Sequence, residues 1–155
     1  MSNIYFPDEE ITFNDVYFVC YMIERVARRL KQRNRYVVEH IDDEQMARQL
    51  SIAATNHCLN PDQVAEEWIR EFHLVSGDSD ITLVNPDFTD KVPSETQMGK
   101  VYARLIISVN TDGNLVTTIR KVYASPICDA IDNYNSSAYY EPSYVQTRAY
   151  INGAF

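Results

Sequence analysis

The chain has 155 residues, of which 45% are apolar and 23% are charged, a balance typical of one folded domain that excludes disorder over the whole length. Its net charge of −8 is spread over both halves, which argues against general binding to nucleic-acid backbones, since such binding needs a basic face. The longest apolar run, residues 16–23, is far shorter than the roughly 20 residues that cross a bilayer, so no membrane partner is predicted.

Three helices are predicted in the first half of the chain. The first begins near Thr12, whose side-chain oxygen can cap a helix, and continues with apolar residues at three- and four-residue intervals. The second begins at Asp42 or Asp43, and the third begins after Asn60, with Pro61 at the first helical position. Each predicted start thus has a residue that can accept hydrogen bonds directly before an amphipathic run.

The second half of the chain is predicted to contain β-strands. Residues 101–109 and 115–123 are rich in β-branched and aromatic side chains, and the Asp112-Gly113 pair between them is typical of a hairpin turn. Two further strands are predicted in this half, at residues 81–84 and 144–151.

The expected fold is therefore α+β: an N-terminal three-helix region packed on a small antiparallel sheet built around a 101–123 hairpin. A single domain is predicted over residues 1–155, helical over 12–75 and strand-containing over 80–155. No linker in the sequence is long enough to divide it into two domains. Trp68, on the third helix, is expected to pack against the sheet and to join the two parts.

Three cysteines, Cys20, Cys58 and Cys128, are widely separated along the chain. Their odd number and the lack of a CxxC pair are typical of free thiols in a reducing compartment, which predicts a cytoplasmic protein. Residues 1–15 are polar and acidic and lack the apolar stretch of a secretory leader, which supports the same prediction.

No cofactor and no metal site is predicted. The three histidines lie 17 and 16 residues apart, whereas structural zinc sites normally have two ligands within a few residues of each other. The sequence contains no Gly-rich phosphate loop, no GxSxG motif and no HExxH motif. The residue pattern leaves enzymatic activity uncertain and favours a protein that is not an enzyme.

Two alternatives to a simple binding protein follow from other residues. A small hydrolase or transferase would have its site near the 85–99 loop, with Cys58, His57 and Asp90 as the residues that carry the chemistry. A nucleic-acid-binding protein would use the basic cluster Arg25–Arg35. The same arginines would also stabilise the negative end of the first helix, and the acidity of the chain argues against a nucleic-acid partner.

The C-terminal segment has the most unusual composition in the chain. Six of the 11 tyrosines lie in the last 33 residues, among serines and asparagines, and lysine is absent after Lys121. This mixture is typical of binding surfaces, because tyrosine offers a large contact area with few rotatable bonds. The competing interpretation is that these tyrosines pack onto the rest of the same domain.

The leading functional hypothesis is a non-enzymatic protein-binding module, a small adaptor or inhibitor, that uses this Tyr/Ser/Asn-rich C-terminal surface. The predicted contact residues are Tyr134, Tyr139, Tyr140 and Tyr144. A protein partner is expected, with a homodimer as the alternative. The net charge of −8 is compatible with docking on a basic partner.

Overall fold

The computed structural model describes residues 3, 6 and 8–155, and within them the chain is helical. No β-sheet is present in that part of the chain, so the predicted α+β class is wrong. The α-helices, in chain order, are α1 Phe13–Leu30, α2 Asn34–Glu39, α3 Asp43–Asn56, α4 Pro61–Glu71, α5 Glu95–Val109, α6 Leu115–Ala124, α7 Pro126–Ile131 and α8 Ser143–Asn152. A short 3-10 helix, Ala138–Tyr140, lies between α7 and α8. No helix among the described residues has the length and apolar character to cross a bilayer.

The two runs predicted as the strands of the 101–123 hairpin are the helices α5 and α6. In α5 the buried side chains include Val101, Tyr102, Leu105 and Ile106, which recur with a helical period. β-branched and aromatic residues satisfy this spacing as well as leucine does, because their preference for strands depends strongly on what they pack against. The period of burial, and not the type of residue, therefore determines the structure of this half.

The Asp112-Gly113 turn joins two helices instead of two strands. Gly113 has a φ of 77°, a left-handed conformation that glycine adopts readily both in hairpins and in other tight turns. Asn114 then caps α6 by accepting a hydrogen bond from the amide of Thr117. The other predicted strands are wrong as well, since residues 81–84 lie in a turn and an irregular loop and residues 144–151 lie inside α8.

The predicted helix starts in the first half are confirmed. Thr12 and Asp15 form a reciprocal capping box at the start of α1, in which the Asp15 carboxylate accepts from the Thr12 amide at 2.8 Å. Asp42 caps α3, and Asn60 with Pro61 begins α4. These boundaries are readable from the sequence because capping depends on residues that are neighbours along the chain.

Helix α1 lies at the centre of the core, where it packs against α2, α3, α4 and α5. Its side chains Val16, Val19 and Ile23 are completely buried. Trp68 of α4 is also buried, and its indole nitrogen donates to the side-chain oxygen of Gln49 on α3 at 3.1 Å. The expectation that Trp68 packs against a sheet is therefore wrong, and its partner is a neighbouring helix.

Gly99 permits a close approach of α5 to α1. A Cβ atom at this position would lie 3.1 Å from the Cα atom of Tyr21 and 3.1 Å from a ring carbon of Tyr17. We expect Gly99→Val to lower the free energy of unfolding by about 2–3 kcal/mol, because the two helices must move apart. Urea denaturation followed by circular dichroism measures this change. Lys100→Val, at the exposed neighbouring position, is the control, and an equal loss in both variants would contradict the importance of the close approach.

The connection between α4 and α5 is fastened to the end of α1. Helix α1 ends at Leu30, and the next residue, Lys31, caps it in a left-handed conformation with a φ of 52°. The amide of Gly77 donates to the carbonyl oxygen of Leu30 at 2.8 Å, and the amide of Ser79 donates to that of Lys31 at 2.8 Å. The first part of this connection is thereby held against the helical core.

Candidate functional site

The structure places two of the four predicted contact tyrosines inside the protein. Tyr134 is only 2% exposed, and its hydroxyl donates to Oε2 of Glu24 at 2.6 Å. Tyr139 is 8% exposed and packs edge-on against both Tyr134 and Tyr140. These two rings anchor the C-terminal segment to the core, and their faces are not available at the surface of this structure.

Tyr140 and Tyr144 lie at the surface, where they are 62% and 65% exposed. The backbone that carries them is held in place by Gln146, whose side-chain nitrogen donates to the carbonyl oxygens of Ala138 at 2.9 Å and Tyr139 at 3.1 Å. These bonds tie the 3-10 helix to α8. The two exposed rings are therefore mounted on folded elements and not on a free tail.

Three shallow hollows surround these two tyrosines. One lies between Lys91 and Tyr140, a second between Arg104 and Tyr140, and a third includes Tyr144 and Arg148 of α8. Ile151 also lines the third hollow and is 72% exposed. We call this region, defined by Tyr140, Tyr144, Ile151, Lys91, Arg104 and Arg148, the tyrosine surface.

A buried polar network lies on the other side of Tyr134. Its centre is Glu24, which sits within α1 and is only 1% exposed. The carboxylate of Glu24 accepts hydrogen bonds from Nε of Arg28 at 2.7 Å, from the side-chain amide of Asn34 at 2.9 Å and from the hydroxyl of Tyr134. Sequence reasoning missed this network. The one local indication of this network in the sequence is the carboxylate of Glu24 within the apolar part of α1.

Asp132 extends the network from the end of α7. Its carboxylate accepts hydrogen bonds from the hydroxyl of Tyr102, from the side-chain amide of Asn34 at 3.2 Å and from the thiol of Cys128 at 3.3 Å. Burial, and then the negative charge of Glu24, raises the pKa of Asp132 to about 7, although its three hydrogen bonds oppose this shift. No cation forms an ion pair with Asp132 among the described residues.

A cleft of about 420 Å³ opens beside Asp132. It is lined by charges of both signs: Arg33, Arg35, Asp78, Asp80, Asp129 and Asp132. Several of these groups already have partners within the chain, since Arg35 pairs with Asp129 at 3.0 Å and Asp80 accepts from Thr82 at 2.6 Å. No group of three or more potential metal ligands occurs within the described residues. Most of the charged side chains at the cleft therefore already have an ion-pair or hydrogen-bond partner within the chain.

The residues of the hydrolase alternative are not assembled into a catalytic group. The thiol of Cys58 donates to the carbonyl oxygen of Ala54 at 3.5 Å, and the ring of His57 stacks on Phe18 with 5.0 Å between centroids. Asp90 is exposed in the α4–α5 connection. Within residues 3, 6 and 8–155, no hydrogen bond joins any two of the three predicted catalytic side chains.

The basic cluster Arg25–Arg35 is largely neutralised within the protein. Four of its arginines form ion pairs with carboxylates of the same chain. These pairs are Arg25 with Asp62 and Glu95, Arg28 with Glu24, Arg29 with Glu66, and Arg35 with Asp129. Paired guanidinium groups have less positive charge to offer a phosphate backbone, so this arrangement supports the structural interpretation of the cluster.

The fold and its surfaces define an all-helical protein with exposed tyrosines set among cations. No protein-family model matches the chain, and no curated protein or solved structure is significantly similar to it.

Proposed function

We propose that the protein is a non-enzymatic protein-binding module, a small adaptor or inhibitor, whose partner contacts the tyrosine surface. The observation that carries this proposal is the exposure of Tyr140, Tyr144 and Ile151, which are 62%, 65% and 72% accessible on elements that are themselves well anchored. Large apolar side chains held in this way lose little conformational entropy on binding, because their backbone is already ordered.

The two buried cysteines, Cys20 and Cys128, are poorly suited to act as nucleophiles. Burial raises the pKa of the Cys20 thiol to about 12 and raises that of Cys128 well above its usual value. Both groups remain protonated near neutral pH and are poor nucleophiles. All three cysteines are free thiols, which also supports our proposal that the protein works in the cytoplasm.

The double variant Tyr140→Ala/Tyr144→Ala tests this proposal. We expect it to lose at least tenfold in affinity for the partner, because tyrosine is enriched among the few interface residues whose truncation costs about 2 kcal/mol or more. The experiment is affinity capture from host lysate, followed by purification of the partner and titration calorimetry. Folding of the variant is checked by its denaturation midpoint.

A matched control comes from the α4–α5 connection. Leu83 and Phe88 are 76% and 71% exposed but do not line the three hollows of the tyrosine surface. Leu83→Ala/Phe88→Ala removes a similar apolar area and is expected to leave partner affinity unchanged. If the two double variants bind the partner equally well, the tyrosine surface is not the binding site. Concentration-dependent sedimentation that is lost in Tyr140→Ala/Tyr144→Ala would identify the partner as a second copy of this chain.

A further inference from the structure

The tyrosine surface is positively charged although the chain as a whole is acidic. The side chains lining the three hollows include three cations, Lys91, Arg104 and Arg148, and one carboxylate, Glu141. The local charge is therefore +2 on a protein of net charge −8. At physiological ionic strength, interactions between exposed charges are largely screened beyond about 8 Å. A docked partner therefore responds more to this local charge than to the net charge of the whole protein.

The cations of the tyrosine surface are not used to hold the fold together. Lys91, Arg104 and Arg148 are exposed, and none of them takes part in the seven ion pairs found among the described residues. Arg148 instead lies over the ring of Tyr144, 5.8 Å from its centroid. The arginines that do form ion pairs are Arg25, Arg28, Arg29, Arg35, Arg48 and Arg120.

The lining of the third hollow fits an apolar side chain that has a carboxylate next to it. Its walls are formed by Ser108 of α5 and by Tyr144, Thr147 and Ile151 of α8, so most of its lining is apolar. Arg148 also lines this hollow, and a guanidinium group can hold a carboxylate in a two-point contact. An apolar anchor beside an acidic residue would match this lining in both polarity and charge.

Resting on the function proposed above, we infer that the partner of the tyrosine surface is an acidic protein segment that presents apolar side chains beside carboxylates. This inference reverses the partner chemistry suggested by the net charge of −8, which is compatible with a basic partner. The reversal follows because the acidic residues that set the net charge lie mostly outside the three hollows, whereas the unpaired cations line them.

Two synthetic helical peptides test the inference. Both have leucine at the same positions of an amphipathic helix, and the remaining positions are glutamate in one peptide and lysine in the other. Fluorescence anisotropy measures the binding of each peptide to the full chain at low and at physiological salt. We expect the glutamate peptide to bind about tenfold more tightly than the lysine peptide, with a difference that shrinks as salt is added.

Charge reversal on the protein provides the decisive variant. Arg104→Glu/Arg148→Glu is expected to weaken binding of the glutamate peptide by about 20-fold, since two attractions become two repulsions. The control is Arg70→Glu/Lys121→Glu, which changes the net charge equally at two exposed helical positions outside the hollows. This control is expected to bind the glutamate peptide as the wild type does.

The outcomes separate the inference from the proposed function. If both peptides bind equally and both lose affinity in Tyr140→Ala/Tyr144→Ala, the binding surface stands and the acidic partner is wrong. If the glutamate peptide binds but is indifferent to the tyrosine variant, the proposed surface itself is wrong. Failure of the glutamate peptide to bind also overturns the inference. If phosphatidylglycerol vesicles bind instead, and Arg104→Glu/Arg148→Glu abolishes their binding, the partner is a membrane surface and the inference is likewise wrong.

Discussion

Replacing Glu24 with alanine is expected to lower the free energy of unfolding by about 3–5 kcal/mol, because three buried or partly buried donors would lose their shared acceptor. Arg28, Asn34 and Tyr134 all donate to this carboxylate. Arg28 would be left as a charge that is only 15% exposed at its side chain and has no other ion-pair partner among the described residues. Urea denaturation at pH 7, followed by circular dichroism and tyrosine fluorescence, measures the loss.

An exposed ion pair between α1 and α4 supplies the control for this prediction. Glu66 pairs with Arg29 at 3.2 Å, and its side chain is 65% exposed. Glu66→Ala is expected to change the free energy of unfolding by no more than about 1 kcal/mol, because water replaces the lost contact. Similar losses in Glu24→Ala and Glu66→Ala would mean that the buried network contributes no more than a surface ion pair.

Local signals in the sequence predict the first half of the fold well. The capping residues Thr12, Asp42 and Asn60 each accept hydrogen bonds from amides two or three residues later, so the information lies within one turn of helix. The same kind of signal was present at Ser94 and Asn114, which cap α5 and α6. The hairpin prediction gave more weight to residue type, and the preference of β-branched residues for strands was overridden by helical burial.

The candidate site was less predictable than the helices, because burial depends on contacts between distant segments. Nothing close to Tyr134 in the sequence distinguishes it from Tyr144. Tyr134 is buried, and its hydroxyl donates a hydrogen bond to Glu24, which lies 110 residues away in the sequence. Tyr144, in contrast, is exposed on the outer face of α8. The sequence could indicate a tyrosine-rich segment of unusual composition. Which of its tyrosine rings are buried and which are exposed can be seen only in the tertiary structure.

The charge of the tyrosine surface was hidden for a related reason. Lys91, Arg104 and Arg148 are separated by 13 and 44 residues, so no window of the sequence shows them as a cluster. The cluster that the sequence does show, Arg25–Arg35, is instead largely paired with acids from α4, α5 and α7. The basic cluster visible in the sequence and the unpaired cations on the folded surface therefore lie in different parts of the molecule. Ion pairing determines which of these positive charges remain available to a partner.

Asp132 is expected to make the protein less stable as the pH rises from about 4 to about 7. Its pKa is raised from the usual 3.8 to about 7 in the folded chain, first by burial and then by the charge of Glu24. Between these pH values the folded protein keeps a proton that the unfolded chain releases, so raising the pH favours unfolding. This stabilising contribution is present in full below about pH 4 and is lost as the pH passes 7, at a cost of about 2–4 kcal/mol.

Asp132→Asn isolates this effect, because asparagine keeps an acceptor oxygen for Tyr102 and for Asn34 but cannot ionise. Measured by urea denaturation at intervals from pH 4 to pH 9, the stability of the variant relative to the wild type should increase up to about pH 7 and then level off. Tyr102→Phe removes a hydrogen bond that favours the charged carboxylate, so it should extend the fall in stability to higher pH. Parallel pH profiles for the wild type and Asp132→Asn would show instead that the pKa of this carboxyl group is the same in the folded and the unfolded chain.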